Sequence, residues 1–238
     1  MRGSLLGRCT IGLVILLSPA AVLAQPARII IMRHAEKLNA YALCDLGAQR
    51  GQALANQFLG RGAVQSLFAV GEKPDAILAI TLHPIETITP TAQTWNLPVI
   101  AYTVVPGEDE DDAAKEIDIN RRTQEAAHDV LTDPRYAGKT IVMVWEHKHI
   151  AKSKLEKDYR GEQITLRQLL HLDQITGVPN SWSDSNYDFF WIVDYAPANP
   201  IPTRFRMVRQ AFAAPFNKLP TNGWEEPEPQ HIQDGCKR

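Results

Sequence analysis

The run Arg28-Ile-Ile-Ile-Met32 carries no polar residue after its first position, so it lacks the alternation of a strand with one wet face. A short uninterrupted run of this kind suits a strand buried on both sides, as in a parallel sheet covered by helices on its two faces. Two further runs repeat the pattern. Residues 76–80 read Ala-Ile-Leu-Ala-Ile after Pro74-Asp75, and residues 140–145 read Thr-Ile-Val-Met-Val-Trp after Gly138-Lys139. Residues 98–102 supply a shorter fourth.

Between these runs the hydrophobic period turns helical. Leu46, Ala53, Leu54 and Phe58 fall near one face of a stretch ending at Leu59, and Asp45 precedes it as the expected N-cap. Further helices are expected at about 85–95, 111–131, 149–157 and 165–172. Strands alternating with helices imply right-handed crossovers and a three-layer α/β/α sandwich with a mostly parallel central sheet. Residues 187–195 and 204–210 read as two final strands. The polar, Pro-rich stretch 222–238 is expected to be a poorly ordered tail.

Residues 1–24 have the organisation of a secretory signal: Arg2 and Arg8, an apolar run from Ile11 to Leu17, then Ser18-Pro19 and small residues to Ala24. The apolar run is well short of the ~20 residues that a spanning helix needs. Cleavage is expected between Ala24 and Gln25, giving a periplasmic or secreted protein without a membrane anchor. One domain over 25–221 accounts for the rest. The formal charge of −2 would become −4 once Arg2 and Arg8 were lost, which gives no reason to expect nucleic acid or an anionic membrane as partner. Cys44 and Cys236 would then remain, either as one disulfide or as two free thiols. Oligomeric state is left open.

In open α/β sheets ligands gather beyond the carboxyl ends of the strands. Three of the four central runs have histidine at or just past that end: His34, His83 and His147. Arg33 beside His34 points to phosphate. A guanidinium offers paired donors matching phosphate oxygens, and a neutral imidazole nitrogen is a nucleophile for phosphorus.

The segment Met32-Arg33-His34-Ala35-Glu36-Lys37 resembles the Arg-His-Gly/Ala-Glu signature of the histidine phosphatase superfamily, the phosphoglycerate-mutase-like proteins. Leu43-Cys-Asp-Leu-Gly47-Ala-Gln-Arg-Gly-Gln-Ala53 is similar to the family's second segment. Val144-Trp-Glu-His147-Lys-His149-Ile150 resembles the strand that ends in its second catalytic histidine. The resemblance spans residues 28–157. It implies hydrolysis of a small phosphorylated substrate, without a cofactor, through a phosphohistidine on His34. His147 would donate to the phosphoryl oxygens and Arg33 would clamp them.

Two departures stand out. Aligning His83-Pro-Ile-Glu86-Thr87 with the family's Arg-x-x-Gln-Thr puts His83 in the phosphate pocket where an arginine belongs, so activity is expected to be low, acid-dependent or absent. The Asp that follows the second histidine in the phytase-like branch is here Lys148. The mutase-like branch takes its acid from a loop after the third strand, which makes Glu108 or Glu110 the candidate. The acidic run 108–112 also reads as a solvated turn at a helix N-terminus. Two other functions compete. The chain could bind a phosphorylated ligand without turnover, as His83 suggests. It could also be a metal-dependent hydrolase using His147 and His149, which on a continuing strand would face the same way, with Glu146 or His83 completing the set.

Overall fold

The computed structural model describes residues 25–104, 111–229 and 235–237. The expected signal segment and both candidate acids, Glu108 and Glu110, lie outside the described residues. Six strands form one sheet: β1 (Arg28–Arg33), β2 (Ala76–Ala79), β3 (Val99–Ala101), β4 (Thr140–Trp145), β5 (Phe189–Asp194) and β6 (Arg204–Arg209), in the order β3-β2-β4-β1-β5-β6. β1, β2, β3 and β4 pair in parallel, β5 lies antiparallel to β1, and β6 lies antiparallel to β5, so β5 alone runs against the others.

The uninterrupted apolar runs follow from this position. In β1, Ile29 and Ile31 face one hydrophobic cluster and Ile30 and Met32 the other, all four fully buried. Helices α1 (Asp45–Leu54) and α2 (Leu82–Trp95) cover the Ile30 face, packing Leu54, Ile88 and Ala92 against it. Helix α3 (Asp112–Thr132) covers the Ile29 face with Ile119, Ala126, Ala127 and Val130. The architecture is therefore three-layer α/β/α with a mostly parallel sheet.

Several boundaries differ from expectation. Cys44, not Asp45, is the N-cap of α1, and the helix widens into a π-type turn over Ala55–Leu59. The single helix expected over 149–157 is two short ones, α4 (His147–Ile150) and α5 (Ser153–Asp158). Between them Lys152 is extended and bridges to Ser181. Helix α6 (Leu166–Leu169) is begun by a capping box on Thr165 and is over before His171, which adopts a left-handed conformation at φ 58°.

The stretch from Asn222 is not a loose tail over its described part. The Asn222 amide donates to Asp188 Oδ2 at 2.8 Å, and Trp224 packs edge-on against Trp182 and Phe189. Cys236 forms a disulfide with Cys44, and Lys237 pairs with Lys37 through two backbone hydrogen bonds. Hydrophobic contact and the bridge therefore hold the carboxyl end against the start of α1. No helix among the described residues is long and apolar enough to cross a membrane.

Candidate active site

Register assembles the site. Arg33 lies opposite Trp145 at the carboxyl ends of β1 and β4, so the next residues, His34 and Glu146, emerge side by side. β2 runs beside β4, with Ala79 opposite Val144, which brings Thr81 level with Glu146. The Thr81 hydroxyl donates to Glu146 Oε1 at 2.8 Å. His83 follows in the first turn of α2 and His147 in the first turn of α4. The three histidines thus stand above adjacent strand ends, with the His34 and His83 ring centroids 5.6 Å apart.

His34 is fully buried, and its Nδ1 lies 2.7 Å from the Ala35 carbonyl oxygen. A carbonyl oxygen only accepts, so Nδ1 carries the proton and Nε2 presents a lone pair. That nitrogen lies 3.2 Å from Glu146 Oε2 without the alignment of a hydrogen bond. Burial pushes the His34 ring below its ordinary pKa, against the pull of Glu146. Burial alone would push the Glu146 carboxyl up. The His34 ring, then Lys37 and the Thr81 hydroxyl, outweigh it and hold the carboxyl well below its usual range.

The backbone carrying His34 is fixed from below. Glu36 and Arg50, both fully buried, form a bidentate pair, with Arg50 Nε donating to Oε2 at 2.9 Å and Nη2 to Oε1 at 2.6 Å. Gly47 lets α1 approach this far, since a Cβ there would stand 2.1 Å from the Glu36 carbonyl oxygen. The Ala35 amide donates to Thr87 Oγ1 at 2.9 Å, and that hydroxyl donates to the His83 carbonyl at 2.7 Å, tying the loop to α2.

Arg33 is also buried. Its Nη1 donates to the Asp184 carbonyl at 2.6 Å, Nη2 donates to the Tyr187 hydroxyl at 2.7 Å, and the guanidinium stacks on the Tyr187 ring. Its positive charge therefore lies close to His34 while two of its nitrogens are engaged elsewhere. His83 Nε2 meets the Asn39 carbonyl at 2.8 Å, which places its proton there and leaves Nδ1 an acceptor. Burial, then the neighbouring His34, lowers the His83 pKa to about 4, so the ring is neutral at pH 7. His147 Nε2 stands 2.8 Å from Asp184 Oδ1, which Lys152 Nζ also approaches at 2.7 Å. Burial, then Arg33, lowers the His147 pKa to about 3.

The pairing of His147 with His149 as metal ligands does not hold. Because α4 begins at His147 in place of a continuing strand, the two side chains diverge. His149 Nε2 meets Asn120 Oδ1 at 3.0 Å. The group whose ligand atoms converge among the described residues is His34, Glu146 and His147. The sequence points to Glu146 only as a possible metal ligand, because its position against His34 depends on the β1–β4 register. Glu146 and His147 of this group line a cavity of about 470 Å³ together with Lys37, Thr81, His83 and Lys148, whereas the fully buried His34 is not part of its wall.

No protein-family model and no curated protein match the chain. Among solved structures it is similar to one described as Mycobacterial hydrolase 1, at 15% identity and a TM-score of 0.39, over 79% of this chain and 99% of the other. It is also similar to a mycobacterial glucosyl-3-phosphoglycerate phosphatase, at 14% identity and a TM-score of 0.40, over 79% of this chain and 100% of that one.

Proposed function

We propose that this chain is an exported phosphomonoesterase in which His34 Nε2 takes the phosphoryl group and water then releases it. The observation that carries the reading is the Nδ1 contact with the Ala35 carbonyl, which reserves the Nε2 lone pair for an electrophile at the carboxyl edge of the sheet. The three segments resembling histidine phosphatases support it. The Cys44–Cys236 disulfide supports an oxidising compartment, where ester hydrolysis is a better fit than interconversion of glycolytic phosphates.

In the first step the Nε2–P bond forms as the ester P–O bond breaks, and the leaving oxygen takes a proton. In the second, a water oxygen attacks phosphorus, gives up a proton and breaks the N–P bond, releasing inorganic phosphate. Glu146 stands against Nε2 and must swing aside for phosphorus to approach. A phosphate dianion beside it raises the carboxyl's affinity for a proton, so Glu146 becomes able to donate to the leaving oxygen and then accept from water. Arg33 and Lys37 supply positive charge to the equatorial oxygens.

Mature protein should hydrolyse a generic phosphomonoester between about pH 4 and pH 8, better toward acid, where Glu146 beside the bound phosphate dianion more readily takes up the proton it donates. His34→Ala should abolish the activity. Glu146→Gln should lower KM at neutral pH, by removing charge repulsion, while lowering kcat. Absence of hydrolysis across that range would sink the catalytic reading. Phosphate binding without turnover would then favour the second reading, a ligand-binding relative. The engagement of the Arg33 nitrogens and of His83 Nε2 with carbonyl and phenol oxygens supports that alternative.

A further inference from the structure

The carboxylate beside His34 poses a problem that phosphate chemistry alone does not answer. With His34 neutral and its proton on Nδ1, the Nε2 lone pair and a carboxylate oxygen face each other at 3.2 Å, a contact that a proton or another cation between them would relieve. One ring nitrogen of His147 joins them, and the three ligand atoms all lie within 4.8 Å of one another. We propose that His34, Glu146 and His147 form a binding site for a zinc-like divalent cation, which occupies the position that phosphorus would take.

Ligand type and spacing both fit. Two imidazoles and one carboxylate are a recurrent catalytic zinc set, and ligand atoms ~2.0–2.1 Å from a tetrahedral ion stand about 3.4 Å apart, close to the His34–Glu146 separation. The supporting contacts match the second layer that metal sites require. His34 Nδ1 meets the Ala35 carbonyl, Glu146 Oε1 accepts from Thr81, and the His147 ring lies against Asp184. The cavity on the outer side leaves room for water or an anion at a fourth position. Arg33 and Lys37 lie close enough to weaken binding, so the expected affinity is micromolar, short of that of a closed structural zinc site.

An ion held by His34 Nε2 would block its attack on phosphorus, so metal and phosphohistidine exclude each other. That consequence rests on the phosphohistidine reading; the metal site itself does not.

The test uses mature, disulfide-bonded protein in phosphate-free buffer, titrated with zinc chloride in a calorimeter and with Co²⁺ in a spectrophotometer. One ion per chain is expected, with visible Co²⁺ bands of a four- or five-coordinate site. His34→Gln and Glu146→Gln should each weaken binding at least 10-fold, while His128→Gln, on the exposed side of α3, should leave it unchanged. If the His34 variant does not fold, the Glu146 variant decides alone, since its side chain is partly exposed and the change is isosteric. Lack of stoichiometric binding, or wild-type affinity in folded Glu146→Gln, overturns the site. Undiminished labelling of His34 by a labelled phosphomonoester in zinc-saturated protein overturns the exclusion. Failure to label metal-free protein rejects the phosphohistidine reading, and the titration still decides the metal site.

Discussion

Replacing Arg50 with Met removes the guanidinium from a pair that is closed to water on both sides. Glu36 would lose two donors and the Pro220 carbonyl a third contact at 2.9 Å. Breaking a buried pair from one side costs about 3–5 kcal/mol, because the remaining charge loses its bidentate partner. The carboxyl can escape by taking a proton, and from an ordinary pKa of about 4.3 that costs about 3.7 kcal/mol at pH 7, which caps the charge part of the loss. The sign of the pH dependence follows. In the variant the folded-state carboxyl pKa is raised above its unfolded value, so protonation favours the fold and the deficit shrinks by about 1.4 kcal/mol between pH 7 and pH 6. Changing both partners, Glu36→Leu with Arg50→Met, should restore most of the stability, since neither member of the pair is left buried without the other. Urea unfolding of the wild type, the single variants and the double variant at the two pH values measures all of this. A single-variant loss under about 1 kcal/mol, or a deficit that does not shrink at pH 6, would refute the reasoning.

Three other outcomes follow from the packing. Replacing Cys44 and Cys236 with alanine opens a bridge between positions 192 apart, for which chain entropy sets a ceiling of about 5 kcal/mol; a loss of about 2–4 kcal/mol in urea is expected. Gly47→Ala should cost about 1–3 kcal/mol by forcing α1 away from the Glu36 carbonyl, measured as a lower unfolding midpoint without change in the urea dependence. Burial lowers the His149 pKa to about 4, so the folded state keeps this ring neutral while the unfolded chain protonates it near 6.5. Its stabilisation is complete above that unfolded value and declines as pH falls toward 4, by about 2 kcal/mol at pH 5, and His149→Gln should flatten that part of the stability profile.

The central strands were legible because burial on both faces leaves no polar residue in the run, a signature that needs no knowledge of neighbours. The 28–33 and 140–145 segments are the plainest instances. What went unread depends on partners distant in sequence. Trp224 is held by Trp182 and Phe189, so a polar, Pro-rich composition gave no sign that the stretch after Asn222 packs. The break between α4 and α5 comes from the bridge of Lys152 to Ser181. At the site, histidines at strand ends were visible as types and positions, whereas the tautomer of His34 and the engagement of His83 with Asn39 are matters of local geometry. Glu146 reached its place against His34 through the pairing of β1 with β4, and Arg33 reached Tyr187 across more than a hundred and fifty residues. The Gly47 and Arg50 positions carried a family-like pattern whose physical content is the close approach of α1 to Glu36 and the fork on its carboxylate.

The central claim is that phosphorus becomes bonded to His34. A single-turnover rapid-quench experiment with a labelled phosphomonoester and metal-free mature protein tests it. The account predicts a transient protein-bound label that is stable in base, lost in acid and absent from His34→Ala. Hydrolysis with no such label, or a label that persists in His34→Ala, would contradict it.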